Sequence, residues 1–133
     1  GYAVATNIMK VGGDVDPLKA EGQVALSRDL QITTAAVDST GMCLFVAFAV
    51  MDQPETFQAL LDVITAFSGA PCTADDVAEL GKSVLRNERD FNMREGMTNK
   101  DDRLPDYMLR EKLAPNNIVF EVTYEELDQV HNY

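Results

Sequence analysis

Residues 52–69, DQPETFQALLDVITAFSG, carry the clearest structural signal in the chain. Asp52 and Pro54 form a helix start signal, because a proline at the first helical position loses no intrahelical hydrogen bond. Gly69 supplies the stop signal. Between them, apolar side chains recur at helical spacing and form one stripe, at Phe57, Leu60, Leu61, Ile64 and Phe67. The stretch therefore predicts an amphipathic helix whose stripe faces a core.

The segment that follows predicts a second long helix. Thr73, with Asp76 three residues further on, resembles a capping box, in which each residue satisfies a backbone N–H near the other. An apolar stripe then continues to about Arg94, at Val77, Leu80, Val84, Leu85 and Phe91. Two such helices in succession favour an α-helical fold.

The last third of the chain combines a long loop with one more helix. Helical spacing breaks down over residues 95–117, so we predict an ordered loop with at most a short helix after Pro105. Residues 118–122 are expected to form a brief extended piece. Thr123 with Glu126 then caps a final helix that holds Tyr124, Leu127 and Val130.

Upstream of residue 52 the sequence predicts two further helices. Asp16 is the expected N-cap of a helix from Pro17 to about Thr40, which ends at Gly41. Its apolar face contains Leu26, Leu30, Thr33 and Val37. Residues 42–51 are apolar at every position, and we predict a central helix that is buried on all sides. Residues 1–15 show no period and are expected to form an extended strand or loop.

Composition limits the classes of protein to which the chain can belong. With 133 residues, of which 46% are hydrophobic, it has room for one core, so residues 1–133 are predicted as a single multihelical all-α domain. The formal net charge of -11 repels phosphate backbones and anionic lipids, so we expect neither nucleic-acid nor membrane partners. Two cysteines without a disulfide framework suit a reducing compartment and predict a cytoplasmic protein. Because the chain lacks an initiator methionine, we interpret it as a fragment of a longer protein.

Asp38, Gly41 and Cys43 form the candidate site. They lie where one helical pattern stops and the apolar run begins, which would place a thiol on a glycine-hinged turn at the start of a helix. Backbone N–H groups at such a position favour an anion, including a thiolate that binds a metal. The alternative interpretation is a small buried thiol that binds nothing, because free cysteine is among the most buried residue types.

Catalytic residues are not assigned to this chain. His131 is the only histidine and has no cysteine at ligand spacing, and the sequence contains no Ser/His/Asp set, no glycine-rich phosphate loop and no paired-cysteine motif. The cluster from Lys100 to Arg103 is consistent with a solvated run of charges. Any metal site at Cys43 would therefore need ligands from another segment.

Two motifs resemble those of the tungsten-containing aldehyde ferredoxin oxidoreductases. Residues 38–43, Asp-Ser-Thr-Gly-Met-Cys, resemble the family's D-x-x-G-L-C motif, with Met42 in place of leucine. Residues 92–105 resemble its N-x-R-E-G-[FM]-x-x-K-D-D-x-L-P stretch. The resemblance extends over nearly the whole chain, and the two motifs in this order make it specific.

The resemblance implies a role for each residue of the first motif. The fold would be the all-helical C-terminal domain of the family, and Cys43 would be the fourth ligand of a [4Fe-4S] cluster. The other three ligands come from an upstream C-x-x-C-x-x-x-C segment that this sequence does not contain. Asp38 would hydrogen-bond a pterin of the bis-pterin tungsten or molybdenum cofactor, with Met42 and Leu44 beside it. Cys43 would then lie on the electron path from the metal to the cluster.

The resemblance also implies the partners of the whole protein. The parent enzyme would oxidise an aldehyde to a carboxylic acid with ferredoxin as electron acceptor, whereas this fragment alone would be inactive. Its other partners would be the remaining domains of the parent chain, and a homodimer is left open. The competing hypothesis is a non-catalytic packing or interaction domain in which Cys43 is simply buried. Under the first hypothesis, the surface around Asp38 and Cys43 should be uncovered and partly apolar.

Overall fold

A computed structural model describes residues 15–133, apart from the side chains of Met51 and Asp52. This part of the chain contains six α-helices and one 3₁₀ helix. The α-helices are α1 Gln23–Ser39, α2 Val46–Asp52, α3 Pro54–Ser68, α4 Ala74–Arg94, α5 Asp106–Arg110 and α6 Tyr124–Asp128, and the 3₁₀ helix is Gln129–His131. The all-α prediction is confirmed. Residues 1–14, for which an extended strand or loop was expected, lie outside the described residues.

Two packed pairs of helices organise this part of the chain. Helix α1 packs along α4, and α2 packs against α3, while the 3₁₀ helix and α6 contact each other near α1. The buried apolar residues come from α1, α2, α3 and the segment before α6, namely Ala36, Val37, Ala47, Leu60, Leu61 and Val122. Within residues 113–118, Leu113 and Ile118 form an isolated β-bridge, which is the extended structure found near the predicted piece.

Gly81 allows α1 and α4 to approach each other closely. A Cβ atom built on Gly81 would lie 2.1 Å from the carbonyl oxygen of Ile32, a distance that real Cβ atoms do not adopt. Since the obstacle is a backbone atom of α1, no side-chain rotation could relieve it. A glycine is therefore required at this crossing, although the sequence pattern of α4 gives no sign of it.

Helix α3 has the predicted ends but not the whole predicted stripe. Pro54 opens it, and Gly69 closes it at φ 75° with its N–H donating to the Thr65 carbonyl. Leu60 and Leu61 are buried, whereas Phe67 is 94% exposed. Phe67 lies one turn after Val63, which is 51% exposed, on the outward side of α3, whereas the buried Leu60 and Leu61 face inward. The expectation that Phe67 faces a core is therefore wrong for the described residues.

Helix α1 begins six residues later than expected. Asp16 accepts a hydrogen bond from the Leu18 N–H at 2.9 Å and caps a turn instead of a helix. Gly22 then adopts φ 78°, a left-handed conformation that an α-helix cannot contain, and the helix starts at Gln23. The predicted end is confirmed, because the helix stops at Ser39 and Gly41 has φ 73°.

The apolar run of residues 42–51 is neither wholly helical nor buried on all sides. The helix begins only at Val46, and the two residues before it, Leu44 and Phe45, are 49% and 77% exposed. Ala47 is buried. Within residues 15–133 α2 packs mainly against α3 on one face. The predicted burial on all sides is therefore wrong, because a uniformly apolar pattern shows no face and does not reveal what covers it.

Both predicted capping boxes are present, and they make stability depend on pH. The Thr73 N–H donates to Asp76 at 2.8 Å, and the Asp76 N–H donates to the Thr73 hydroxyl at 3.3 Å. Thr123 and Glu126 form the same arrangement at the start of α6. Hydrogen bonds from the Thr73 side chain and backbone hold the pKa of Asp76 below its ordinary value of 3.8. A carboxyl with a lowered folded-state pKa stabilises the fold above its unfolded pKa, and that contribution is lost as pH falls through the folded value.

We expect Asp76→Asn to lower the urea midpoint of unfolding at neutral pH. On acidification, the urea midpoint of the variant should then fall less than that of the unsubstituted chain. The reason is that the variant has no titrating cap to lose below about pH 4. Urea titrations followed by circular dichroism between neutral pH and about pH 2 would measure both effects. Asp75→Asn is the matched control, because Asp75 lies in the same first turn and makes no side-chain hydrogen bond within residues 15–133. Equal acid sensitivity of the two variants would contradict the assignment.

Candidate functional site

The last turn of α1 and the residues after it form a sharp, exposed turn. The Asp38 carbonyl accepts a hydrogen bond from the Gly41 N–H at 3.0 Å. The Thr40 hydroxyl donates to the Val37 carbonyl at 2.6 Å and accepts from the Met42 N–H at 3.3 Å. These bonds are all local, so the turn is specified by its own residues. Asp38 lies in the last helical turn, as predicted, and is exposed.

Cys43 lies in the turn that joins α1 to α2. Its carbonyl accepts from the Val46 N–H at 2.9 Å, and the Leu44 carbonyl accepts from the Ala47 N–H at 3.0 Å. The thiol therefore lies on the turn after Gly41, three residues before the start of α2, close to the predicted position at the start of a helix. Among residues 15–133, no hydrogen-bond acceptor faces the backbone N–H groups of Cys43, Leu44 or Phe45. Unpaired N–H groups beside a thiol suit an anionic or sulfur-containing group, because such groups accept hydrogen bonds.

The four predicted site residues lie within residues 38–44, at the end of α1 and on the turn after it. Asp38, Cys43 and Leu44 are exposed, and Met42 is half-buried. Cys43 is a free thiol that its own domain does not bury, which disagrees with the alternative in which the domain encloses it. The prediction of an uncovered, partly apolar surface around Asp38 and Cys43 agrees with these exposures.

One thiol cannot complete a metal centre. Across the described part of the chain, no three His, Cys, Asp or Glu side chains are grouped closely enough to hold a metal ion. The second cysteine, Cys72, is half-buried in the connector between α3 and α4, where its N–H donates to the Thr65 hydroxyl at 2.9 Å. A site at Cys43 would therefore need ligands from outside residues 15–133.

Residues of the second motif connect the long loop to α4 and α6 through ion pairs and a hydrogen bond. Arg89 of α4 forms an ion pair with Asp102 and donates to the Asn99 side-chain oxygen at 2.6 Å. Arg103 pairs with Asp128 of α6 at 2.6 Å. The guanidinium of Arg103 also lies 4.8 Å from the ring centroid of Tyr124. Asp102 and Arg103 are thus structural and not simply solvated, which the sequence pattern did not reveal because their partners are distant in sequence.

His131 also contacts the long loop. Its Nε2 lies 3.5 Å from the Asp102 carboxylate, and its Nδ1 lies 3.4 Å from the Tyr133 hydroxyl. The contact with Asp102 joins the 3₁₀ helix to the loop.

We expect Arg103→Ala to lower the free energy of unfolding by about 2 kcal/mol. The substitution removes a charged hydrogen bond and a cation–π contact from a side chain that is only 18% exposed. Urea unfolding of the chain at neutral pH measures the loss. Lys100→Ala is the control, since Lys100 is exposed, lies in the same loop and has no ion-pair partner within residues 15–133; its effect should stay within about 0.5 kcal/mol. Equal losses in both variants would refute a structural role for Arg103.

Comparison with known families matches residues 1–131 to a family model described as aldehyde ferredoxin oxidoreductase, domains 2 and 3. The chain belongs to the aldehyde ferredoxin oxidoreductase family. This confirms the resemblance drawn from the two motifs. The helical fold is consistent with the all-α C-terminal domain expected for the family.

Curated relatives of this chain are much longer than it is. It is 29% identical over 122 residues to a tungsten-containing aldehyde ferredoxin oxidoreductase of Pyrococcus horikoshii, covering 86% of this chain and 19% of the relative. The protein of the same description from Pyrococcus furiosus is 28% identical over 119 residues, with the same coverage. The chain thus spans about a fifth of the length of the relatives it matches. No solved structure matches it.

The described helices were compared with the length and hydropathy of a membrane span. None between residues 15 and 133 combines the length and the apolar character that a membrane crossing requires.

Proposed function

We propose that this chain is the part of a tungstopterin and iron–sulfur oxidoreductase that supplies one ligand of a [4Fe-4S] cluster. In this proposal Cys43 is the cluster ligand, and Asp38, Met42 and Leu44 contact a pterin. The parent enzyme oxidises aldehydes to carboxylic acids and passes the electrons to ferredoxin. The observation that supports it best is the exposed segment from Asp38 to Leu44, which exposes a carboxylate and a thiol five positions apart in sequence.

The donor chemistry of this turn suits both groups. A cysteine thiolate is the usual protein ligand of a [4Fe-4S] cluster, and N–H groups directed at its sulfur atoms tune the potential. The backbone N–H groups of Cys43, Leu44 and Phe45 have no acceptor within residues 15–133, so they are available to donate to a bound group. The exposed Asp38 carboxylate can accept hydrogen bonds from the amino and ring N–H groups of a pterin. When bound, the tungsten or molybdenum centre supplies the aldehyde oxidation, and the cluster carries electrons away.

The turn provides too few ligands to bind a cluster without the rest of the parent protein. It provides one thiol where the cluster requires four, and the described residues contain no group that could complete the set. The remaining ligands would come from the four-fifths of the relatives' length that lies outside this chain. We therefore expect the 133 residues alone to bind no cluster and to oxidise no aldehyde. The partners of the parent are ferredoxin, an aldehyde and its own remaining domains.

The proposal is tested on the purified full-length parent protein. We expect tungsten or molybdenum, about four iron atoms per polypeptide, and oxidation of aldehydes that depends on ferredoxin. An upstream C-x-x-C-x-x-x-C segment should supply the other ligands. A correctly folded parent without iron and without aldehyde oxidation, obtained from cells grown with both metals, would favour the non-catalytic packing domain.

A further inference from the structure

The outward side of α3 is divided into an apolar half and a polar half. Four exposed residues spaced four, three and one positions apart form the α3 apolar face, namely Ala59, Val63, Ala66 and Phe67. Phe67 is 94% exposed and Val63 is 51% exposed. The polar half contains Glu55, Gln58 and Asp62, and the Gln58 amide donates to the Asp62 carboxylate at 2.9 Å. The apolar face is therefore an outer surface of a helix whose opposite stripe is already packed.

The helix paired with α3 adds further exposed apolar side chains. Phe45, at the start of α2, is 77% exposed, and Leu44 is 49% exposed. Large apolar side chains exposed singly are ordinary, but several on one helix pair mark an interaction surface. Complete exposure of a phenylalanine on a well-formed helix is unfavourable in water. The helix pair thus exposes more large apolar side chains than a solvent-facing protein surface usually does.

The charged residues of α2 and α3, and of the sequence on either side of them, have one sign. Residues 29–81, which include α2, α3 and the start of α4, contain eight acidic residues and no lysine or arginine. This stretch therefore carries eight of the eleven net negative charges of the chain. A partner that fits it is apolar at the centre and has lysine or arginine at the rim.

We propose that the α3 apolar face docks onto a basic-rimmed surface of the parent polypeptide that lies outside these 133 residues. The relatives are about five times as long as this chain, so most of the parent's surface is available for such contacts. A second copy fits poorly, because a symmetric interface would oppose two acidic stretches that have no basic residue. The same negative charge disfavours nucleic acid and anionic membranes.

The docking surface rests on family membership and on α3, not on the cluster role of Cys43. It can therefore be tested on the parent protein prepared without metal. Hydroxyl-radical footprinting followed by mass spectrometry measures the oxidation rate of each side chain. The reference for each residue is its own rate in the same parent protein unfolded in urea.

In the folded parent we expect Phe67 to be oxidised about ten times more slowly than in the unfolded reference, because 94% exposure falls to the low values of a core residue. After dilution, Phe67 in the monomeric fraction of the parent should still be oxidised slowly. Oxidation of Phe67 at the unfolded rate would overturn the proposal, because nothing would then cover the face. Protection confined to a dimeric fraction would also overturn it and assign the face to a second copy.

A pair of charge-adding variants gives the second measurement. Phe67→Asp in the parent should raise the oxidation rate of Val63 several-fold, because a carboxylate cannot be desolvated in an apolar interface. Gln58→Glu adds the same charge to the polar half of the same helix and should leave the Val63 rate unchanged. Equal effects of the two variants, or no effect of either, would contradict docking through the apolar half. If Phe67→Asp prevents folding, the footprint of the unsubstituted parent still decides.

Discussion

Replacing Cys43 with alanine should abolish ferredoxin-linked aldehyde oxidation by the full-length parent protein. Loss of a residue that only supports a metal ligand costs 10–100-fold, so loss of the ligand itself should cost at least about 100-fold. The electron paramagnetic resonance signal of the reduced [4Fe-4S] cluster should disappear or change to that of a three-iron cluster. Activity assays and the resonance spectrum measure these two effects, and iron analysis of the same preparation measures the iron that the variant retains.

Cys72→Ala is the matched control for this experiment. Both cysteines are free thiols, but Cys72 lies in the connector after α3 and donates its backbone N–H, which the substitution retains, to Thr65. It should keep the cluster signal and the activity. Cys43 is exposed in this chain, so its truncation removes no packing from the domain. A Cys43→Ala parent with an intact cluster signal and activity would refute the ligand assignment.

Gly81→Ala should destabilise the chain by about 3 kcal/mol, a large part of the 5–15 kcal/mol that stabilises a typical domain. An alanine in a helix interior normally stabilises by about 1 kcal/mol relative to glycine, so the sign of the effect is diagnostic. Here the added Cβ would lie 2.1 Å from the Ile32 carbonyl oxygen, and α1 would have to separate from α4. The midpoint of urea unfolding and the thermal midpoint should both fall.

Asn87→Ala is the control, because Asn87 is exposed on the same helix. It should be neutral or slightly stabilising, since alanine is the better helix former. Ile32→Ala combined with Gly81→Ala should not restore stability, because the contact is with the backbone of Ile32. A rise in stability on Gly81→Ala would show that the two helices are further apart than described.

The parts of the fold that could be predicted from the sequence are those with local causes. Pro54 and Gly69 bound α3, and the Thr73 capping box starts α4, because caps and stop signals act within a few residues. The predicted start of α1 was wrong because Asp16 can cap either a turn or a helix. The left-handed conformation of Gly22 places the start of the helix after it. Local signals of equal strength cannot be ranked without the backbone conformation.

The parts that could not be predicted depend on contacts between distant residues. The pattern of α3 identified an apolar stripe, but which of its residues are covered depends on the elements packed against it, and Phe67 is left exposed. Arg103 and Asp128 are 25 residues apart, and nothing local marks them as partners. The residues of the candidate turn were found because Asp38 and Cys43 are only five positions apart. The groups proposed to complete this site lie outside these 133 residues, so no local pattern in the chain could identify them.

The absence of lysine and arginine from residues 29–81 determines how this region responds to proteases. Trypsin cleaves only after lysine and arginine, so it releases one peptide, residues 29–82, that contains both cysteines and the whole of α3. Resistance of the α2–α3 pair to trypsin therefore reflects composition and says nothing about what covers the helices. A glutamate-specific protease has sites at Glu55 and Glu79, on either side of Phe67. Glutamyl cleavage, not tryptic cleavage, is thus the digestion that separates Phe67 from Cys43 for residue-level mapping.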